Sequence, residues 1–437
     1  MSKLPCYYAH GGLNYKNGFA TVCPISGARL KMLDGEVPSE FWNNAEFTQY
    51  RRMLDKGEWP DDCNLCRIAE EEDGTVSMRQ DFEADLSTYD PKTGKVSFDG
   101  LKHVELRFSN ACNMACLHCS EVYSSQWGSR LKDYEPDEID WKYNLEQLTK
   151  TQHRIGDNDT TKIDIKVPHA VEIAQDLAKN FPNIEKIDFA GGEVLYQKQF
   201  YPTLEALSKH PNAKNILLFF HTNFNADFDV ERLSELLDKF GRSKIKISVD
   251  SGKNIYSYFR DGKWEKLKEN LEKFKAVNNF TTIDTVCTTS IYQVMDIENI
   301  MLSLLELDID SVDASIVYDP HYINPALLMR GFGKYVKQDI EETRRRILKL
   351  RKQRLKSPLR DTYRSYNRRT KTFSDIETAL KGLDTIEAYI ANHKTSQESW
   401  EGFLVYSNKI DKLWKQDFNS VYTKYRLVNN DLERVNG

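Results

Sequence analysis

Three cysteines within eight residues constrain this chain more than any other feature. Cys112, Cys116 and Cys119 stand in the run Cys112-Asn113-Met114-Ala115-Cys116-Leu117-His118-Cys119, a C-x3-C-x2-C spacing. Ahead of them Val104, Leu106 and Phe108 alternate with polar residues, the period of a strand. A strand that ends in a tight loop of this kind brings three thiolates together. Three thiolates hold three corners of an iron–sulfur cube, which ordinarily takes four cysteines, so one iron is left open. An open metal position is what separates catalytic sites from closed structural ones. Three close cysteines also suit zinc, with His118 as a fourth ligand. Covalent haem is excluded, because Ser120 rather than histidine follows Cys119.

The remaining cysteines are not scattered either. Seven of the eight precede residue 120, and Cys6, Cys23, Cys63 and Cys66 form a second group ahead of the first strand. No apolar run is long enough to cross a bilayer, and the start lacks a basic and then apolar signal region. The expected compartment is therefore the cytosol, where clustered cysteines favour metal or redox sites over disulfides. Residues 7–15 and 19–23 flank Lys16-Asn17-Gly18, and Asn-Gly marks a hairpin that draws Cys6 towards Cys23. Phe41, Trp42, Phe47, Tyr50 and Leu54 then recur near helical spacing, and Cys63-Asn64-Leu65-Cys66 presents two more thiolates. Four cysteines suit a fully ligated iron–sulfur cluster or a zinc knuckle. Cys287 lies inside a strand pattern and reads as a buried structural residue.

Beyond a polar linker at about 79–100, strand and helix patterns alternate. Strands are expected at 104–108, 184–190, 216–222, 244–250, 281–290 and 314–318. Helical patterns separate them near 169–180, 201–209, 230–240, 263–277 and 297–307. Residues 121–131 should begin the first helix, and the polar stretch 133 to about 164 reads as an insertion at the catalytic mouth. Strict alternation argues for a parallel sheet. Cys287 apart, the notable residues fall at the C-terminal ends of these strands, where barrel chemistry lies. Gly191-Gly192-Glu193 ends the second, His221-Thr222-Asn223 the third and Ser248-Val249-Asp250 the fourth, with Tyr256 to Gly262 shortly after.

Together these motifs resemble the radical S-adenosylmethionine (SAM) superfamily. The resemblance implies an α/β fold, a partial (βα)6 TIM-type barrel over residues 86–330. It would carry a small cysteine-ligated module at 1–85 and a helical region at 331–437. It implies that Cys112, Cys116 and Cys119 hold a [4Fe–4S] cluster whose open iron chelates SAM. One electron then cleaves SAM, and the 5′-deoxyadenosyl radical abstracts hydrogen from a substrate. It places His118 by the adenine, Gly191, Gly192 and Glu193 at the SAM amino group, and Asn223 nearby. Ser248 and Asp250 would meet the ribose, and Arg260 the carboxylate. The glycine that usually follows that arginine is replaced by Asp261. The N-terminal segment resembles the twitch domain, a short relative of the SPASM domain, here placed before the barrel. That resemblance gives Cys6, Cys23, Cys63 and Cys66 to an auxiliary [4Fe–4S] cluster. It also implies an electron donor such as flavodoxin or ferredoxin, and a peptide, protein or small molecule as substrate.

Residues from 325 onward lose the strand–helix rhythm. The tract 344–371 is strongly basic with Tyr363 and Tyr366 interleaved, and Pro358 should end its helix. Such a tract favours a solvated helical face, with binding to RNA or an anionic partner as the rival. On that rival reading the chain is a zinc-stabilised binding protein. The net charge of −5 offers no general attraction to nucleic acid or membranes. Amphipathic patterns at 375–390 and 400–414 could pack across the open side of the barrel.

Overall fold

The computed structural model describes residues 4–16, 19–25, 31–32, 35–72, 76–80, 82–149 and 169–435. The Asn17-Gly18 turn and residues 150–168 of the expected insertion lie outside them. Nine of the described strands form one sheet: β1 (Gly12–Lys16), β2 (Phe19–Thr21), β3 (Lys31–Met32), β4 (His103–Leu106), β5 (Lys186–Phe189), β6 (Leu217–Thr222), β7 (Arg242–Ile247), β8 (Thr282–Thr289) and β9 (Ser311–Ile316). Their spatial order is β9-β8-β7-β6-β5-β4-β1-β2-β3. From β9 to β1 every neighbouring pair is parallel, and only β1–β2 and β2–β3 are antiparallel. The six strands β4 to β9, joined by helices α1 (Ala170–Asn180), α2 (Phe200–Leu207), α3 (Val230–Leu237), α4 (Trp264–Val277) and α5 (Ile297–Glu306), are the mixed α/β, partial (βα)6 arrangement that the alternation predicts.

The N-terminal segment departs from expectation. Residues 7–11 form a helical turn, Tyr7–Gly11, instead of a hairpin strand. The chain then straightens into β1, which pairs in parallel with β4, Gly12 opposite His103 and Tyr15 opposite Leu106. Leu13 and Tyr15 are fully buried on the side of Val104 and Leu106, which explains why so short a strand docks here. Gly12 is required by close packing, since a Cβ there would lie 2.6 Å from the Tyr8 carbonyl oxygen and 2.7 Å from that of Val22. The polar linker is also more ordered than a run of turns. Tyr89–Asp90 and Lys95–Val96 form a two-stranded hairpin whose Val96 amide donates to Asn43.

The two faces of the sheet differ in chemistry. Residues opposite each other in register share a face. On one face Val104, Leu106, Ile187, Leu218, Phe220, Ile245 and Val312 are almost fully buried. Cys287 is buried there too, as expected of a structural thiol. The other face carries His103, Glu105, Asp188, Phe219, His221, Lys244, Lys246 and Asp284, several of them half-buried or exposed.

The C-terminal region packs against this sheet through long helices. α6 (Met329–Lys356) ends two residues before Pro358, α7 (Ser374–Asn392) lies on β9, and α8 (Gln397–Trp414) follows. Gly382 of α7 allows the close contact, as a Cβ there would be 3.0 Å from the Ala314 Cβ. Much of the basic tract is neutralised within the chain. Arg344 pairs with Asp384 and Glu387, Arg346 with Glu298 and Glu342, Arg351 with Glu377, and Arg364 with Asp310. Arg354 is buried against Asp375 at 2.6 Å and also donates to the Leu305 carbonyl. Removing one member of such a pair strands the other charge. Arg354→Met should therefore lower the unfolding free energy by about 3–5 kcal/mol. Arg351→Met, in a half-exposed pair, should cost under about 1 kcal/mol. Chemical denaturation of the two variants checks the difference.

Candidate active site

The cysteine loop leaves the C-terminal end of β4, and its backbone is held from outside. Trp127 Nε1 donates to the Cys116 carbonyl at 2.8 Å, and Trp414 Nε1 to that of Ala115 at 3.1 Å. The Leu117 carbonyl accepts from Tyr406 Oη at 2.7 Å and from Gln147 Nε2 at 3.1 Å, and Gln147 also donates to the Cys119 carbonyl at 2.6 Å. On the donor side, the Leu117 amide meets the Phe259 carbonyl and the Ala115 amide meets Asp261 Oδ2 at 3.1 Å. Trp127 and Trp414 also pack edge to face, centroids 4.6 Å apart. None of these partners stands out in the sequence. Trp414 lies almost three hundred residues from the carbonyl it bonds, and no local pattern signals such a pairing.

Asp261 explains a departure noted above. It takes a left-handed backbone, φ +59°, where glycine is the usual choice and Asp is among the better tolerated replacements. Its carboxylate holds the Ala115 amide and pairs with Arg130 at 2.5 Å. The substitution therefore adds a tie to the cysteine loop.

The loop after β5 comes against the cysteine loop through bare backbone. Gly191 and Gly192 have φ +81° and +56°, and a Cβ on Gly192 would fall 2.3 Å from the Ala111 carbonyl oxygen. Glu193 follows, almost fully buried. Its carboxylate accepts from the Leu195 amide at 3.0 Å, Thr222 Oγ1 at 2.6 Å and the Asn223 amide at 2.6 Å. Burial raises its pKa above the ordinary carboxylate value. Asn223 reaches across to Asn113 of the cysteine loop at 2.9 Å. Asp250 is also left-handed, φ +51°, and pairs with Arg260 at 2.7 Å. His118 stacks on Phe259 at 5.0 Å, its Nε2 3.6 Å from Asp250, and burial lowers its pKa to about 4.

These residues line one cavity of about 270 Å³. Its wall includes the three cysteines, His118, Gly191 to Glu193, Thr222, Asn223, Ser248 and Arg260, joined by Tyr123 and His221. Asp250 stands just behind, holding Arg260. Burial pushes the Cys112 and Cys116 thiols up to about 12 and about 11, and raises Cys119 further. Among the described residues no three Cys, His, Asp or Glu side chains converge closely enough to hold a single metal ion.

Cys6, Cys63 and Cys66 of the second cysteine group come near one another from distant segments. Cys6 caps the Tyr7–Gly11 turn and lies within electrostatic range of Cys63 and Cys66. Burial raises the Cys6 thiol to about 11 and also raises Cys63, which sits 2.9 Å from Tyr50 Oη. Cys23 follows β2 next to Val22, whose carbonyl packs at Gly12 beside the same turn.

Residues 106–301 match the family model of the Radical SAM superfamily. No curated protein matches the chain. Among solved structures it is similar to anSMEcpe with bound AdoMet (17% identity, TM-score 0.34, 51% of this chain and 52% of that one). It is similar to Streptococcus suis SuiB bound to S-adenosylmethionine (15%, TM-score 0.33, 70% and 59%). It is also similar to the radical S-adenosylmethionine methyltransferase TsrM from Kitasatospora setae (12%, TM-score 0.30, 49% and 36%). The chain thus spans about half the length of the first of these.

The donors around the loop predict a measurable looseness when one is removed. A single hydrogen bond contributes about 1 kcal/mol, or about a fivefold change in local opening. Tyr406→Phe and Trp414→Phe should each speed alkylation of Cys119 in the metal-free protein by about that factor. Cys287, buried in β8, should label no faster; mass spectrometry of the peptides distinguishes the two sites.

Proposed function

We propose that this chain is a radical SAM enzyme, carried by one observation. The three thiols, Gly191-Gly192-Glu193, Asn223, Ser248 and Arg260 all line one cavity at the C-terminal ends of successive parallel strands. The donor set fits the group that the family match implies. Three cysteines leave a cube with one open iron. On two side chains of the cavity wall, His118 Nδ1 and Arg260 Nε are buried with no hydrogen-bond partner among the described residues, a deficit that a polar ligand would relieve. A [4Fe–4S] cluster with SAM on its open iron supplies reductive SAM cleavage and hydrogen abstraction from a substrate.

The chain's own residues then have distinct tasks. Gly191 and Gly192 bring backbone against the cysteine loop with no side chain between them. Glu193, fixed by three donors, offers its carboxylate to the SAM ammonium. Asp250 holds Arg260, whose fork suits the SAM carboxylate. His118, backed by the buried Phe259 ring, offers its face to the adenine, and Ser248 offers its hydroxyl to the ribose with Asp250 just behind. Cys6, Cys23, Cys63 and Cys66 would hold an auxiliary [4Fe–4S] cluster, which would supply an electron acceptor for an oxidised substrate. The substrate is a peptide, a protein or a small molecule. Flavodoxin or ferredoxin supplies the first electron, in the cytosol.

Anaerobic reconstitution tests this reading. The expected result is about eight irons with matching sulfide per chain, and 5′-deoxyadenosine on reduction with dithionite. Zinc alone with no SAM cleavage overturns it. Glu193→Gln should weaken SAM binding by about 10–100-fold, read by calorimetry, because a charged acceptor is lost. Cys63→Ala should lose about half the iron yet still cleave SAM. Full substrate turnover by that variant would exclude electron acceptance by the second cluster.

A further inference from the structure

The polar face of the sheet demands its own account. The interior of a closed (βα)8 barrel is filled by apolar side chains. Here the face that continues into the cysteine-lined cavity bears ionisable groups, and buried charges persist only when they are partnered or serve a ligand. Most of them are partnered. Asp188 meets His103 and Lys186, each at 2.8 Å. Lys244 pairs with Asp284, and Arg107 with Glu105. Asp313 accepts from Ser311 at 3.1 Å. Lys246 is the exception: among the described residues, no carboxylate lies within 4 Å of its ammonium. Asp284, opposite it in the β7–β8 register, pairs with Lys244 instead, and the Phe219 ring centroid is 6.0 Å from the Lys246 ammonium.

Its position matters as much as its isolation. Lys246 lies opposite His221 in the β6–β7 register, and His221 lines the cavity. Arg107, at the end of β4, comes from the other side, since a Cβ on Gly191 would lie 3.2 Å from the Arg107 Cβ. His221 feels both cations and is exposed to solvent although deep in the molecule, as a residue in an open interior must be. Burial first, then Lys246, pushes its pKa down to about 4, so it is neutral at pH 7 and able to donate one N–H. His221 and Lys246 thus set a neutral donor beside a cation that has no carboxylate partner among the described residues, with the Glu105-paired Arg107 guanidinium further along the same face.

We infer that His221, on the cavity wall, and Lys246 beside it form an anion-binding subsite, with Arg107 behind, which holds a carboxylate or phosphate group of the substrate. This rests on the cavity being the active site. The subsite orients an anionic substrate with its remainder towards the cysteine loop.

Reductive methylation of lysines with formaldehyde, followed by peptide mass spectrometry, tests it on the intact chain. Sodium phosphate and sodium acetate are titrated at constant ionic strength made up with chloride, and Lys253 serves as an exposed reference. The expected result is saturable protection of Lys246, at least threefold, with half-effect on the order of 1–50 mM, as one or two charge-assisted contacts give. Lys253 should be unaffected. Protection by phosphate alone assigns a phosphorylated substrate; protection by acetate, with or without phosphate, assigns a carboxylate. Less than a twofold slowing by both anions at about 100 mM overturns the inference, as does equal slowing of Lys253. The labelling needs neither cluster nor SAM, so its failure leaves SAM cleavage standing, and absence of SAM cleavage leaves the labelling result intact.

Discussion

The site depends on the backbone of Ala115 to Cys119 being held in one shape by groups that are remote in sequence. Trp127, Gln147, Asp261, Tyr406 and Trp414 each donate to or accept from that backbone. A loop that must expose three thiols in one direction cannot bury its own peptide groups in regular structure. Its carbonyls are therefore satisfied by indole, phenol and amide donors, whose loss would leave buried acceptors unpaired. The bare backbone of Gly191-Gly192 completes the support from the opposite side. Thiol position is thus a tertiary property, written across all three thirds of the chain.

The sheet's two faces divide stability from chemistry. The apolar face, covered by helices, supplies burial. The polar face keeps its ions in pairs, and the pairs leave Lys246 over. Such a face contributes little to stability, because desolvation opposes each pair. What it offers is a surface of fixed charge beside the thiols, in a setting where water is partly displaced and charge acts over a longer reach than in bulk solvent.

The sequence carried the barrel strands well and the supports poorly. Residues 184–190, 216–222 and 281–290 combine β-branched and aromatic residues with turn signals, and each contains a strand of the sheet. The cysteine spacing and Gly191-Gly192-Glu193 were visible because they are local in sequence. β1 was not legible as part of the main sheet. Gly12-Leu13-Asn14-Tyr15-Lys16 is short, and only its register with β4 reveals where Leu13 and Tyr15 are buried. The left-handed Asp261 was equally hidden, because an aspartate takes that backbone only where tertiary contacts hold it. The alternation of Lys244-Ile245-Lys246 was plain, but which face met a cavity depends on how the strands are ordered.

Tyr406 and Trp414 lie on α8, almost three hundred residues after the carbonyls they bond. A chain emerging from the ribosome makes its cysteine loop early and the donors for Ala115 and Leu117 late. Domains in general fold as units during synthesis, beginning from the N-terminal side. This one leaves its most reactive loop unfinished until α8 has been translated. Whatever the three thiols bind is therefore received in a finished frame only once α8 is in place, and a product truncated before α8 would present the same thiols without the frame that aims them.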